Sequence, residues 1–500
     1  MKRIGRVLIV AAALLVLLLA AVRWYLPRAD TYQVDGRLAW PGLDAPVEVM
    51  RDENGMATVY AESLADLIRV QGFVTAQDRL FPMHLARLAS QGRLSELAGE
   101  VALPIDTYRR TLGFHRLARA HAAILDDETR AFFGWYVEGV NRVIEQSDEL
   151  PMAFGLAGIE PESWTIEDSL SILYYMAWGS SANLRHEVVA QLLVEAVGDE
   201  RARELTPINI NPDDPTASTV DHPVSDPIDD PVGEDETAPE PLEAVADLDS
   251  TLVRLLAGPM AADDAPRLGS NNWVAGVSRS PSGKPIVAND PHLDPRMIPG
   301  VWHPIGLRRS GLAAVGVSVP GIPGITIGRT DRVAVAVTNA YADTQDLYVE
   351  TVDPDDSSRY LDAGQSIPFG LIEETVKVRD AEAPSGFRDE AITIRTTRRG
   401  PVITDSLPGT RPNATLSLRW AAAEAITPEH GKRLGFVDLL GAQSVDELDA
   451  SLEALPMIAL NFVFADVDGG IGWRVSGLLP DRVDGAGTVP WIVETEGVET

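Results

Sequence analysis

Residues Asp263–Leu293 read "DDAPRLGSNNWVAGVSRSPSGKPIVANDPHL". An acidic, proline-containing tract gives way here to the most strand-like sequence in the chain, and the two meet at a conformationally free pair, Gly269–Ser270. One reading makes the pair a linker that ends where a domain begins. The other makes it a scissile bond, so that Ser270 becomes an N-terminus. An N-terminal serine carries its own base, because its α-amino group titrates near about 8 and lies within reach of its hydroxyl, directly or through one water. No separate histidine is then required for deprotonation. Gly269 has no side chain to block attack by Ser270 Oγ on its carbonyl, and a flexible stretch upstream lets the new terminus settle.

Downstream of Ser270 the hydrophobic period is two. "NNWVAGVS", "KPIVAND", "LAAVGVSV", "RVAVAVTN", "DLYVETV", "AITIRTT", "ATLSLRW" and "NFVFADVDGGIGWRV" read as strands separated by Gly, Asp and Pro turns. Upstream, residues 206–269 are rich in Pro and Asp/Glu and carry no Lys or Arg between Arg203 and Arg254. Such a segment cannot bury enough apolar surface to offset its chain entropy and reads as a spacer, excised if the bond is cut. Residues 31–205 are mostly helical by pattern. "AQDRLFPMHLARLASQGRLSELAG" sets Phe81, Leu85 and Leu88 on one face with arginines between them, and longer apolar-periodic stretches follow at 116–146 and 167–198.

The first 30 residues form a fourth unit. Lys2, Arg3 and Arg6 precede an apolar run from Val7 to Val22, and Trp24 and Tyr25 suit a membrane–water boundary. The run is slightly long for a signal-peptide core and slightly short for a spanning helix. No good small-x-small cleavage site follows, which favours an uncleaved anchor over a removed signal. The expectation is an exported, periplasmic or extracytoplasmic protein that meets the membrane through this segment alone.

Composition narrows the chemistry. Five hundred residues at 45% hydrophobic exceed one ordinary domain, so two or more structural units are expected. The absence of cysteine excludes disulfides, thiolate zinc sites and a Cys nucleophile. With 74 acidic against 42 basic residues the net charge is −32, which repels nucleic acid and anionic lipid. No G-x-S-x-G elbow is present, His186–Glu187 lacks the second His of a zincin, and "GVSRSPSGKP" lacks P-loop spacing. Ser270 remains.

Four ordered blocks then carry a resemblance. They are "VEVMRDENGMATVYAESLADLIRVQGFVTAQDRLFPMHLARLASQGRLSELAGE", "GSNNWVAG…KPIVANDPHL", "VTNAYADTQDLYVE" and "LNFVFADVDGGIGWRVSGLLPDR". Together they resemble the penicillin acylases of the N-terminal nucleophile (Ntn) hydrolase superfamily, over nearly all of 45–495 apart from the spacer. The resemblance implies an α+β fold, the four-layer αββα sandwich with a helical α chain packed around it. It also implies one precursor cut at Gly269–Ser270 into an α/β heterodimer, and an amidohydrolase acting on N-acyl amides such as penicillins. Family β chains run well beyond the roughly 230 residues that follow Gly269, so the closing strands and helices are expected to be missing.

Roles follow from the same resemblance. Ser270 would be the nucleophile, with its amine as general base and then general acid. The Asn461 side-chain amide and the Asn339 backbone N–H would receive the oxyanion. His292 would orient or polarise the serine amine. Asp343, the Gln345 carbonyl and Asp346 match a calcium loop, with Glu187 reaching across from the α chain, and one structural Ca²⁺ is the only cofactor implied. Leu293 and Ile327, with Met176 and Trp178 on an α-chain helix, fall where the family lines its acyl pocket; an aliphatic lining suits a fatty or aryl-alkyl group. By composition alone each of these four is ordinary core. Two other functions stay open: an acyl-homoserine lactone acylase using the same machinery, and an anchored binding protein without the chemistry.

Overall fold

The computed structural model describes residues 35–146, 150–181, 184–198, 201–202, 270–293, 300–409, 411–482 and 491–492. The 1–30 segment and the whole 206–269 spacer, Gly269 included, lie outside the described residues. Among the described residues no helix is long and apolar enough to cross a membrane.

Strands numbered along the chain build the frame. Glu48–Arg51 (β1) and Ala57–Tyr60 (β2) precede the spacer; after it come Ser270–Ala275 (β3), Ile286–Pro291 (β4), His303–Arg309 (β5), Leu312–Ser318 (β6), Ile327–Arg329 (β7) and Val333–Asn339 (β8). Gln345–Asp353 (β9), Asp356–Asp362 (β10), Gln365–Pro368 (β11), Gly370–Arg379 (β12), Phe387–Thr396 (β13), Thr415–Trp420 (β14), Leu460–Asp466 (β15) and Ile471–Val475 (β16) follow. An eight-stranded sheet runs β1-β2-β5-β6-β7-β8-β15-β16. The 31–205 region is therefore not wholly helical: β1 and β2 are too short to register as a period-two pattern, and β2 pairs parallel with β5 from beyond the spacer.

Helices Leu64–Gln91 (α1), Leu103–Leu112 (α2), Phe114–Ile124 (α3), Asp127–Gln146 (α4), Ile166–Ser180 (α5) and Leu184–Val197 (α6) fill most of the region before the spacer, and Val445–Glu453 (α7) follows β14. The sheet register explains where they sit. Val59, Leu307, Val335, Val337, Phe462 and Phe464 fall on one face by strand alternation, and all belong to the buried core shared with the helices. The opposite face carries the smaller Ala334, Ala336, Thr338 and Asn461. Against it lies the β3–β4 hairpin, the beginning of a second β layer. The fold is α+β.

Two glycines set the closest helix contact. A Cβ at Gly72 would lie 2.2 Å from the Tyr136 carbonyl oxygen, and one at Gly139 would lie 1.8 Å from that of Arg69, so α1 and α4 touch backbone to backbone. Within α1 the expected arginine-bearing outer face is corrected. Phe81 and Leu85 are only half-buried, whereas Met83, His84, Arg87 and Leu88 are inside. Arg87 is accepted because its charge is answered: Nη1 donates to the carbonyls of Ser163 (3.2 Å) and Glu162 (3.3 Å), and Nη2 meets His84 Nδ1 at 2.5 Å. Burial, with the Arg87 charge adding, pushes His84 down to about 3, so the ring stays neutral as an acceptor. Pro82 leaves the Asp78 carbonyl without its helical donor, and Arg79 Nη1 supplies one at 3.1 Å beside the kink at Arg79.

Several contacts tie the parts before and after the spacer. Gln71 brackets the Gly324 peptide, its Oε1 accepting the N–H (3.0 Å) and its Nε2 donating to the carbonyl (2.7 Å). Arg51 and Asp78, from the first block of the resemblance, pair at 3.0 Å, and Asp78 reaches across the spacer to His303 Nε2 at 2.9 Å. Glu374 on β12 receives Arg110 at 2.9 Å and His115 at 3.1 Å and also pairs with Arg116.

Candidate active site

Ser270 opens β3 opposite Pro291 of β4, and strand alternation puts Ser270, Asn272 and Val274 on the hairpin face turned toward the sheet. That face is docked by two facing asparagines. Asn289 brackets Val337 as a peptide would: its Oδ1 accepts the Val337 N–H at 2.8 Å, and its Nδ2 donates to the Val337 carbonyl at 2.9 Å. Val337 is open to this because β7 is short and pairs only with Ala334 and Val335. Asn272, opposite Asn289, donates through Nδ2 to the Asn461 carbonyl at 2.9 Å and more weakly to that of Ala336 at 3.4 Å.

Asn461 lies on β15 between Thr338 of β8 and Val475 of β16. Its Nδ2 donates to Thr338 Oγ1 (2.9 Å) and Asn272 Oδ1 (3.1 Å), and its Oδ1 accepts from Trp473 Nε1 at 2.5 Å. Since the indole N–H can only donate, the orientation of the amide is settled. Asn339, the last residue of β8, pairs with Leu460, one position from Asn461. The strand that begins with Ser270 and both expected oxyanion donors thus converge. His292 contributes differently from expectation: its backbone N–H donates to Ser270 Oγ at 3.3 Å, while its ring Nε2 meets Asp290 Oδ2 at 3.0 Å.

Three expected metal ligands also meet. Glu187, Asp343 and Asp346 bring one carboxylate oxygen each within 4.8 Å of one another. Glu187 sits in the first turn of α6, fully buried, its Oε2 accepting the Leu347 N–H at 2.7 Å. Burial pushes the Glu187 carboxyl well above the usual range, the Leu347 bond opposing and the charges of Asp346 and Asp343 adding. Asp343 is pushed up to about 6 by burial, against the pull of Arg482 and with Asp346 adding. Carboxylates so uncomfortable together fit a hard cation. Gln345, next in the loop, is buried at the start of β9.

The expected acyl-pocket residues lie in different surroundings. Trp178 packs in an aromatic cluster, 5.9 Å from Phe114 and 5.3 Å from Trp420 between ring centroids, and Met176, on the same helix, packs against the same core. Ile327 is half-buried at β7, and Leu293 is 42% exposed beside the hairpin. An open depression lined by Glu48, Tyr60, Glu62, Arg308, Arg309 and Asp331 contains none of them.

The family model for penicillin amidase matches residues 46–496. The chain belongs to the penicillin amidase family. That family lies in the Ntn hydrolase superfamily. Acyl-homoserine lactone acylase QuiP of Pseudomonas aeruginosa is 32% identical over 467 residues, covering 90% of this chain and 51% of the relative. Penicillin acylase 2 proenzyme of Pseudomonas sp. (strain SE83) is 33% identical over 464 residues, covering 91% and 55%. Among solved structures, a thermostable penicillin G acylase from Alcaligenes faecalis aligns over 44% of this chain and 38% of its own, at 22% identity and TM-score 0.37. The chain spans about half the length of the curated relatives it matches.

Sequence reasoning missed several residues of this penicillin amidase-family site. Arg482 donates through Nε to Asp346 Oδ1 at 2.9 Å and through Nη2 to Asp343 Oδ1 at 3.0 Å, supplying the cluster with positive charge. It stands in the quoted "LLPDR", where nothing local announces a partner more than 130 residues away. Asn272 was within reach of inference, since period two puts it on the same strand face as Ser270. Asn289, Thr338 and Trp473 needed the register.

Proposed function

We propose that this chain is an N-acyl amide hydrolase whose nucleophile is Ser270 after the Gly269–Ser270 bond is broken. The observation that carries the reading is the docking of β3, with Ser270 at its first position, against the β8–β15 pair that holds Asn339 and Asn461. Maturation begins when Ser270 Oγ attacks the Gly269 carbonyl, moving the acyl group from nitrogen to oxygen. Water then cleaves the ester and leaves a Gly269 carboxylate and a free Ser270 amine. In turnover, Oγ adds to the substrate carbonyl while its proton passes to that amine, directly or through one water. The oxyanion is received by Asn461 Nδ2–H and the Asn339 N–H. Collapse returns the proton to the departing amine and leaves an acyl-serine, which water opens by the same proton route. The His292 backbone N–H supports Oγ, and the His292 ring, held by Asp290, borders the site.

Calcium belongs to this proposal. Glu187, Asp343, Asp346 and the Gln345 carbonyl would hold it, and when bound it supplies charge that joins α6 to the loop before β9. The two parts stay together as an α/β heterodimer. The basic and apolar residues at 2–25 support export through the membrane, with that segment as signal or anchor.

Penicillins are the first substrate class proposed, with an aliphatic or aryl-alkyl acyl group near Leu293 and Ile327. The second is a long-chain acyl-homoserine lactone, favoured by the similarity to QuiP. A competition assay among penicillin G, penicillin V and a dodecanoyl homoserine lactone decides between them. Hydrolysis of at least one, lost in Ser270→Ala, is expected. A protein that binds these ligands, stays in one piece and hydrolyses none would be the anchored binding protein instead.

A further inference from the structure

Asn461 Nδ2 has two hydrogens, and both are engaged at rest, one by Thr338 and one by Asn272. Asn272 returns the contact through its own Nδ2, which donates to the Asn461 carbonyl. The two side chains therefore grip each other from adjacent layers, one on the strand that begins with the nucleophile and the other on the strand that carries the oxyanion donor. Trp473, 66% exposed at its position on β16, fixes the far side of the same amide by donating to Oδ1.

We propose that Asn272 is a positioning residue that sets the Asn461 amide relative to Ser270, with Trp473 holding the amide in the orientation that presents Nδ2. The proposal rests on the reading of Asn461 as oxyanion donor. Asn272 lies two positions along β3 from the nucleophile, so any sliding of β3 over β15 moves Oγ and stretches the Asn272–Asn461 contact together. A neutral side-chain carbonyl is also a suitable resting acceptor, because a charged oxyanion forms the stronger bond and draws one Nδ2–H away from it. Misplacement of the donor harms the transition state more than the ground state, so the effect belongs in kcat.

The test measures kcat and KM of the full chain on phenylacetyl and dodecanoyl 4-nitroanilides, for Asn272→Leu, Trp473→Phe, Asn461→Ala and the double variant Asn272→Leu/Asn461→Ala. Asn272→Leu is expected to lower kcat about 10- to 100-fold with KM within about twofold, the scale expected of a displaced reacting group. Trp473→Phe, which alters an exposed ring and leaves folding intact, should lower kcat about 3- to 10-fold, as loss of one orienting hydrogen bond implies. The double variant should be no more than about twofold slower than Asn461→Ala, because the first substitution acts through the second residue. Fully additive losses, or a change confined to KM, overturn the proposal. If Asn272→Leu does not fold, an unchanged kcat in Trp473→Phe overturns it. Wild-type kcat in Asn461→Ala defeats the oxyanion reading itself, a different failure from additivity between the two sites.

Discussion

Ser270 is presented by a hairpin whose inward face carries two asparagines where a sheet interior is ordinarily apolar. Asn272 and Asn289 spend their amides on backbone groups of β8 and β15, which makes that polarity tolerable. If Asn461 receives the oxyanion, Asn461→Ala should lower kcat by about 10²- to 10³-fold with little change in KM, the loss typical of one such donor. Steady-state kinetics on an N-acyl 4-nitroanilide checks this, and an unchanged kcat contradicts it. At this scale the sequence was partly legible. Ser270 stood out because Gly-Ser sits where spacer becomes strand. Arg87 was misplaced because helical periodicity treats a cation as solvent-facing, and the carbonyls of Ser163 and Glu162 that satisfy it lie 75 residues or more away.

Helices and strands were more legible than their partners. Every strand quoted from the sequence forms, and the stretches 116–146 and 167–198 form helices, two in each, the first of each pair ending before Leu125 and before Ser181. Strands β1, β2, β7 and β11 escaped notice, being three or four residues long, the longer β5, β10 and β12 were not singled out either, and the parallel β2–β5 pairing is a long-range choice that no local pattern encodes. The α1–α4 contact gives a sharp expectation. Gly139→Val would drive a side chain into the Arg69 carbonyl and should destabilise the fold by about 3 kcal/mol or more, at the upper end of overpacking effects. A thermal melt showing no loss would contradict that contact. The helices also carry an acid sensitivity. Burial lowers His84, His115 and His121 from the ordinary histidine value, so the unfolded chain binds more protons than the folded one below pH 6.5. Stability is fully present above that value and falls as pH drops through it toward about 3 for His84. In a Glu187→Gln/Asp343→Asn variant, which removes two carboxyls whose raised values act in the opposite sense over the same range, stability to urea should therefore decline from pH 7 to pH 5, by at most about 1.4 kcal/mol per unit for each ring. A flat profile contradicts the burial of these rings.

For the whole molecule the consequence is that cutting the chain should not divide it. The β2–β5 pairing, the Gln71 bracket on Gly324 and the Glu374 cluster all join the two sides of the spacer. Mature protein should run as two bands on a denaturing gel and as one species in native gel filtration; two separated peaks contradict the heterodimer. Calcium, if it occupies the Glu187–Asp343–Asp346 cluster, stabilises by mass action, about 2.7 kcal/mol at a hundredfold excess over its dissociation constant. Chelation should lower the melting temperature by a few degrees, reversibly, and Glu187→Gln should remove the difference. Identical melts with and without chelator in the unaltered protein contradict the site. The meeting of Glu187, Asp343 and Asp346 was legible as family register, whereas Arg482 among these carboxylates was not. The expected acyl pocket was legible least, because pocket and core lining share one composition.

Intact mass of the purified full chain, alongside its Ser270→Ala variant, tests the central claim most directly. The account predicts a fragment in the unaltered protein whose mass begins at Ser270, and an uncut, inactive variant. A chain that stays continuous through Gly269–Ser270 while hydrolysing N-acyl amides, or a variant that is still cut there and still turns over, would contradict it.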